Sequence, residues 1–310
     1  MKDIFTCPDN QSGRADKILA DKYPDFSREF IKQSIEVGKI SNIDGSLIAP
    51  KTKINSGDQL LVDLSRPKTN ALEPYKYDLS ILHEDDHLIV VNKPAGMVIH
   101  PGDGTDGTTL VHALLNHCPD TLSPIGAPLR PGIVHRLDKE TSGVIAVAKS
   151  ELAHLSLAEQ FAGRKTGKLY QAIVCGKIRK HGEFNQPIGR HPKVRVKMAV
   201  SEKGKSACTK WERISSFGDE FSHVKCEILS GRTHQIRVHF SAAMHPIAGD
   251  VTYGYRNLKA KTIVFPRVML HAWKLSIFHP GHKKQVSFIS PPPNDFDQCL
   301  AKLKALAANK

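Results

Sequence analysis

Apolar positions in the first third of the chain change from helical spacing to strand-like alternation. They recur at helical spacing around residues 15–19 and 30–35, and a proline and a glycine lie where these two helices should end. Residues 42–45, Asn-Ile-Asp-Gly, carry a hairpin-turn signal, and the run 59–64 has the composition of a strand. We therefore expect a small α/β unit over residues 13–64.

The rest of the chain consists mainly of strands. Residues 65–77 are polar, contain two prolines and show no period, which predicts a semi-rigid linker. Beyond it, strand–turn–strand pairs outnumber strand–helix–strand units. This favours an α+β domain over residues 78–310, with a mixed, mostly antiparallel sheet flanked by helices. In a helix that Ser150 begins, the residues expected to face the core are Leu152, Leu155, Ala158 and Phe161. The other predicted strands and helices lie around 79–84, 88–94, 168–176, 208–211, 221–229, 271–277, 284–289, 110–115 and 296–306.

Charged residues and valines alternate over residues 189–197. If this segment is a strand, Lys193, Arg195 and Lys197 form a basic stripe on one face, which suits a phosphate backbone. A solvated edge strand that lysines protect from aggregation would show the same pattern. Both interpretations are open at this point.

The overall charge indicates a polyanionic partner. The 310 residues include 44 Lys and Arg against 31 Asp and Glu, a net charge of +13. Nucleic acid is the first candidate for such a protein. A membrane surface is the rival, but the sequence has no basic amphipathic helix with exposed Trp or Phe and no apolar run of membrane-spanning length. We expect a partner other than a membrane.

Cysteine and histidine patterns give no sign of a metal or a disulfide framework. The six cysteines are far apart without C-x-x-C spacing, which is typical of reduced thiols in a cytoplasmic protein. The 16 histidines show no H-E-x-x-H or similar spacing. Residues 100–107 are glycine-rich but lack the context of a phosphate-binding loop. We therefore predict no metal site and no nucleotide cofactor.

The densest group of reactive side chains lies between two turn signals at residues 130–143. His135, Arg136 and Asp138 fall within four residues there, and an apolar strand follows. A short loop on a rigid scaffold can present such an acid for chemistry. An aspartate in this position more often hydrogen-bonds only its own turn. A second segment, 231–240, concentrates two Arg, two His, a Thr and a Gln.

The N-terminal unit contains, in order, Gly13-Arg14-Ala15-Asp16-Lys17, Ser27-Arg28, Ile35, Gly38-Lys39-Ile40 and Gly57-Asp58-Gln59-Leu60. In this pattern it resembles an S4-type RNA-binding domain. The resemblance implies that Arg28 and Lys32, on the face of the second helix opposite its apolar residues, contact RNA phosphates.

The second domain carries a series of motifs over residues 79–290: His135-Arg136-Leu137-Asp138-Lys139-Glu140-Thr141-Ser142-Gly143, Lys168-Leu169-Tyr170, Gly204-Lys205, Gly231-Arg232-Thr233-His234-Gln235-Ile236-Arg237-Val238-His239, His245-Pro246, Gly249-Asp250 and Tyr253-Gly254. In these motifs and their order it is similar to the RluA-type pseudouridine synthases. The segments Asn92-Lys93-Pro94 and His100-Pro101-Gly102 resemble the RluD-like branch, whose members carry an N-terminal S4 domain. The similarity implies the pseudouridine synthase fold.

This resemblance implies an isomerase that acts on uridine within RNA. The glycosidic bond to N1 breaks, the uracil rotates, and C5 is joined to the sugar, which requires neither a cofactor nor a metal. The implied nucleophile is Asp138, at the sugar C1′ or at the base, with Arg232 as its partner cation. Tyr170 would stack on the flipped uracil, and its hydroxyl would assist removal of the C5 proton.

The remaining implied roles concern binding and assembly. Arg136 would fill the space that the flipped base vacates, whereas His135 and Thr141 would shape the loop. The expected partner is RNA, specifically 23S ribosomal RNA or a ribosomal precursor particle, and the chain is expected to act as a monomer.

Two other functions compete with the isomerase. A glycoside-type hydrolase needs two carboxylates flanking the bond, and Glu140 is the only second acid close to Asp138 in sequence. A non-catalytic S4-type RNA-binding protein would explain the charge and the N-terminal unit. It leaves Asp138, Arg232 and Tyr170 without a purpose, so the enzyme is the preferred interpretation.

Overall fold

A computed structural model describes residues 2–24, 26, 28–64, 72–102, 107–119, 121–194, 196–255 and 263–308. The chain divides into two compact units, Met1–Asn70 and Ala71–Lys310. No helix in these described ranges is long and apolar enough to cross a bilayer.

The N-terminal unit packs two helices on a three-stranded antiparallel sheet of order β1-β5-β3, beside a β2–β4 pair. The first strand was not predicted, since it precedes the expected start at Gly13. It pairs with the last strand of the unit and buries Phe5 in the core with Leu19, Ile31 and Leu60. The elements are β1 (Lys2–Thr6), β2 (Gly13–Arg14), α1 (Ala15–Lys22), α2 (Arg28–Glu36), β3 (Ile40–Asn42), β4 (Lys53–Ile54) and β5 (Gln59–Asp63).

The second unit is built on one large sheet, and this confirms the predicted α+β class. Its nine strands in the described ranges run in the order β10-β13-β14-β9-β15-β8-β7-β6, with β16 also paired to β15. All these pairs are antiparallel except β8 with β15. The elements are β6 (Ile81–Glu84), β7 (Leu88–Lys93), α3 (Leu110–His117), β8 (Ser142–Ala148), α4 (Glu151–Ala162), β9 (Gly167–Cys175), β10 (His181–Phe184), β11 (Ile188–Arg190), β12 (Met198–Val200), β13 (Thr209–Phe217), β14 (Phe221–Ile228), α5 (Gln235–Ala242), β15 (Leu270–His279), β16 (Lys284–Ile289) and α6 (Asn294–Ala308).

Helices cover both faces of the sheet. On β7, Ile89 and Val91 pack into the core shared with α3, α5 and α6, whereas Leu88 and Val90 pack into the core shared with α4. Successive side chains of a strand point to opposite faces, so the first four residues of β7 are all apolar because the strand is buried on both sides.

The face of α4 differs from the prediction. Leu152 and Leu155, expected in the core, are 60% and 63% exposed, so that prediction was wrong. A polar residue fixes the helix instead: the Gln160 amide donates to the carbonyl of Phe278 and accepts from its N–H, both at 2.8 Å. These two hydrogen bonds to β15 place the smaller Ala153 against the sheet.

The basic stripe predicted at 189–197 does not lie on a strand. Residues 191–194, 196 and 197 connect β11 to β12 as a turn, in which the His191 ring nitrogen accepts from the N–H groups of Lys193 and Val194. A proline at position 192 cannot donate to a strand ladder, which favours this turn. Lys193 is exposed, Lys197 is half-buried, and Arg195 lies outside the described residues.

Gly143 allows β8 and β15 to pair closely at the end of the loop that carries Asp138. At its φ of +111° a Cβ would lie 2.1 Å from the carbonyl oxygen of Ala272, across the parallel β8–β15 pair. We expect Gly143→Ala to lower the free energy of unfolding by more than about 3 kcal/mol. Gly218→Ala, at φ +58° with open space around it, should cost about 1–2 kcal/mol. Equal urea midpoints for the two variants would contradict this account of Gly143.

Candidate active site

The loop that carries Asp138 is held at several backbone atoms. The N–H of Thr141 donates to the carbonyl of Asp138 at 3.1 Å, which closes a turn immediately before β8. The next carbonyl, that of Lys139, accepts from the N–H of Gly96 at 2.8 Å and from Nζ of Lys93 at 3.1 Å. These contacts fix the direction in which the Asp138 side chain points.

Lys93 supports this loop from beneath. It is fully buried at the end of β7, and its Nζ also donates to the carbonyls of Pro94 at 2.7 Å and Met97 at 2.9 Å. Burial lowers the pKa of Lys93 to about 7, although the negative charges of Asp138 and Glu140 act in the opposite direction. The protonation of Lys93 is therefore coupled to the free energy of unfolding at pH values above about 7.

This linkage predicts a pH-dependent stability. An unfolded lysine keeps its proton up to a pKa near 10.5, so between pH 7 and pH 10 the unfolded chain binds more protons at Lys93 than the folded chain does. The free energy of unfolding contributed by this group therefore rises with pH through that window. We expect urea titrations of the wild type, minus those of Lys93→Met, to show this rise. Parallel profiles for the two proteins would contradict it.

Asp138 forms an ion pair with Arg237. Nη1 of Arg237 donates to Oδ2 of Asp138 at 3.1 Å, and its Nε and Nη2 bind the two oxygens of Asp250 at 2.7 and 3.0 Å. Asp250 is 1% exposed. Burial alone would lower the pKa of Arg237, but the two carboxylates outweigh it and raise the pKa further above its ordinary value. Asp138 therefore has a permanently charged partner.

The partner predicted from sequence, Arg232, lies elsewhere. Its Nε donates to the carbonyl of Ser206 at 3.1 Å, and its side chain lines a cleft beside the Asp138 pocket. The prediction that Arg232 pairs with Asp138 was wrong, since Arg237 makes that contact. The Arg232 side chain can therefore contact a ligand bound in the cleft.

The residue at which α5 begins explains why Arg237, and not Arg232, pairs with Asp138. Helix α5 begins at Gln235 after His234, which adopts the left-handed conformation with φ +57°. The Gln235 side chain accepts from Ser230 and from the N–H of Arg232, and donates to the carbonyl of Cys208. Arg232 therefore precedes the helix, whereas Arg237 projects from its first turn.

His234 completes the polar surroundings of Asp138. Its Nδ1 lies 2.7 Å from the hydroxyl of Tyr253, and that hydroxyl accepts from the N–H of Met198. When Tyr253 donates to Nδ1, the imidazole proton is on Nε2, which lies 3.9 Å from Oδ1 of Asp138. Burial lowers the pKa of His234, which favours this neutral form.

Tyr170 and Asp138 line the same small pocket, of about 50 Å³. Tyr170 projects from β9 and is 9% exposed. Burial, and then the charge of Asp138, raise the pKa of Tyr170, so its hydroxyl stays protonated at neutral pH. Arg136 is exposed at the mouth of the pocket, and Thr141 is buried in its wall.

His135 lies behind the loop. Its Nε2 accepts from the N–H of Ala146 at 2.9 Å, and its ring stacks on that of Phe161 with 4.3 Å between centroids. Burial, together with the nearby Lys168, lowers the pKa of His135 to about 3, so the ring is neutral.

Arg28 and Lys32 lie on α2 of the N-terminal unit. Arg28 donates to the buried carboxylate of Asp16 at 3.0 Å, as Arg14 does at 2.8 Å, and these contacts lower the pKa of Asp16 against the effect of burial. The Arg28 side chain is still 53% exposed. It therefore stabilises its own unit besides any contact with RNA.

Sequence reasoning missed Lys93, Arg237, His234 and Asp250 as parts of the site. The donor-rich segment 231–240 and the Gly-Asp pair at 249–250 were noted, but not which of their residues meet Asp138. A helix start at Gln235 was the signal that could have favoured Arg237, because it puts Arg232 outside the helix.

Fold and site together define a class of protein: a mixed sheet that presents one loop carboxylate, paired with a buried arginine, in a basic pocket. The family model for RNA pseudouridylate synthase matches residues 87–242. The chain belongs to this family and is an isomerase that converts uridine to pseudouridine in RNA. Membership confirms the predicted family and enzyme class over the non-catalytic alternative.

Relatives match nearly the whole chain. Ribosomal large subunit pseudouridine synthase D of Zymomonas mobilis is 43% identical, over 94% of this chain and 93% of the relative. The protein of the same name from Nitrosomonas europaea is 40% identical, over 97% and 88%. Among solved structures, human RNA pseudouridylate synthase domain containing 1 matches with a TM-score of 0.59 at 28% identity, covering 77% of this chain and 98% of that one.

Proposed function

We propose that this protein isomerises uridines of large-subunit (23S) ribosomal RNA, with Asp138 as the nucleophile. The Asp138–Arg237–Asp250 arrangement carries this proposal. A single carboxylate forms an ion pair with a buried arginine, which a second carboxylate holds in place. The relatives named for the large ribosomal subunit support the choice of RNA.

The mechanism assigns one task to each group around Asp138. Arg237 orients one oxygen of the nucleophile, because its other nitrogens are bound to Asp250. Tyr170 offers its ring as a face on which the flipped uracil stacks. Arg136 enters the space that the base leaves, at a flipping cost of a few kcal/mol.

The N-terminal unit is proposed to act as an S4-like RNA-binding domain. Its basic residues, including the exposed Arg28 and the half-buried Lys32, would hold structured RNA through phosphates, independently of base sequence. The monomeric state and the cytoplasmic location expected from the sequence remain parts of this proposal.

The test of the substrate is tritium release from RNA labelled at C5 of uridine. We expect the protein to release tritium from protein-free 23S RNA transcripts or from an immature large-subunit particle. Under identical conditions, 16S transcripts and transfer RNA should release none. Release from transfer RNA at an equal or faster rate would overturn the choice of ribosomal RNA and leave the enzyme class intact.

A further inference from the structure

A cleft of about 350 Å³ adjoins the Asp138 pocket and shares Arg136, Tyr170 and Ile228 with it. Its described lining contains four cationic side chains and no aspartate or glutamate. The cations are Arg136, Arg164, Lys168 and Arg232. An unbalanced group of this kind, next to a site for RNA, indicates an anion as the occupant.

Lys168 is the least expected member of the group because it is 8% exposed. It lies two residues before Tyr170 on β9, so both side chains point to the same face of the sheet. Within the described residues, no carboxylate lies within ion-pair distance of it. Burial, followed by the charges of Arg164 and Arg232, lowers the pKa of Lys168 to about 8.

Lys168 lies beside a stacked pair of rings. Its Nζ lies 5.8 Å from the centre of the Phe161 ring, and this ring stacks on His135, which the N–H of Ala146 holds. The contact with the Phe161 ring offsets only part of the cost of removing this ammonium from water. A cation that is retained and pre-positioned at such a cost fits the recognition of a charge that the ligand supplies.

We propose that this cleft binds one backbone phosphate next to the flipped uridine, with Lys168 as its buried ligand and Arg164 and Arg232 at its rim. The proposal rests on the proposed function, because RNA is the source of the phosphate. A flipped nucleotide remains joined to its neighbours through two phosphodiesters, so one phosphate must lie close to the pocket that receives the base. Lys168 and Tyr170 then hold the phosphate and the base from one strand.

If Lys168 served only the fold, replacing it would lower the stability of the protein. Lys168→Met keeps the length of the side chain and removes a largely buried charge that forms no ion pair with a described residue. On our proposal the variant is at least as stable as the wild type in urea, and only its handling of RNA changes. Lys165→Met is the matched control, since Lys165 is exposed and pairs with Glu159 at 3.0 Å.

Binding of a 23S fragment is measured first, as a function of salt. Lys168→Met should bind about 10- to 100-fold more weakly, as expected for one lost charge-assisted hydrogen bond. The slope of log affinity against log salt should fall by about 0.7–0.9, the value for one phosphate, whereas Lys165→Met keeps the wild-type affinity and slope. An unchanged affinity and slope for Lys168→Met overturns the proposal.

A neutral linkage then identifies the phosphate. Fragments with a single methylphosphonate on either side of the modified uridine should weaken wild-type binding at one of the two positions. At that position they should weaken Lys168→Met less, because only the contacts of Arg164 and Arg232 are left to lose. If the neutral linkage reduced the affinity of Lys168→Met by the same factor as that of the wild type, the assignment of Lys168 to this phosphate would be wrong. An abasic neighbour that weakens binding, where the methylphosphonates do not, would instead place a base in the cleft.

These readouts separate the two proposals. Failure of the wild type to release tritium from the same fragments counts against the proposed function. Normal release, with Lys168→Met identical to the wild type in affinity, salt slope and response to the neutral linkage, counts against the phosphate site alone.

Discussion

Replacing Arg237 with methionine is expected to remove the activity and to lower the free energy of unfolding by about 3–5 kcal/mol. Arg237 is the cation between Asp138 and Asp250, and Asp250 is almost completely buried. Without the guanidinium, Asp250 is an unpaired buried charge and Asp138 loses the group that orients it. Urea denaturation and single-turnover tritium release measure the two effects.

Two further variants make this prediction specific. Arg232→Met should leave the unfolding free energy within about 1 kcal/mol of the wild type, because Arg232 is half-exposed and makes no contact with Asp250. Arg237→Lys keeps the charge but cannot bind Asp250 through two nitrogens, so its stability should be intermediate. If Arg232→Met were the less stable of the two methionine variants, the assignment of Arg237 as the partner of Asp138 would be wrong.

Replacing Asp138 with asparagine is expected to slow single-turnover isomerisation by about 10⁴-fold or more, since the reaction loses its nucleophile. RNA affinity should remain within a few-fold of the wild type. The fold should also persist, because asparagine has the same shape and offers an oxygen to Arg237. Rate, affinity and melting temperature are measured on one preparation.

Glu140→Gln is the control for this substitution. Glu140 is the neighbouring acid that a two-carboxylate hydrolase would need. Its variant should keep activity within a few-fold of the wild type. Equal losses from Asp138→Asn and Glu140→Gln would favour a pair of acids over a single nucleophile.

The sequence predicts the sheet well because its strands are unambiguous. On β7 a continuous apolar run indicates burial on both faces. Prediction failed where a polar residue overrides the apolar pattern, as Gln160 does on α4. It also failed where a turn interrupts an alternating run, as it does after His191.

The site could be predicted only as far as a single motif extends. Asp138 and Arg136 belong to one loop, and the family motif added Tyr170. Which arginine pairs with Asp138 depends on where α5 begins, and that in turn depends on the tertiary hydrogen bonds of Gln235. The supports at Lys93 and Asp250 come from distant parts of the chain, so their part in the site is visible only in the folded structure.

Product analysis of a uridine-labelled 23S fragment tests most directly the central claim that this chain isomerises uridine through Asp138. After incubation with the wild type and complete digestion to nucleosides, we expect a product of the same mass as uridine whose base is joined through carbon, with one C5 tritium released per product. With Asp138→Asn we expect unchanged uridine. Free uracil would indicate a hydrolase, and unchanged uridine with the wild type would indicate a protein that only binds RNA; either result would contradict the account.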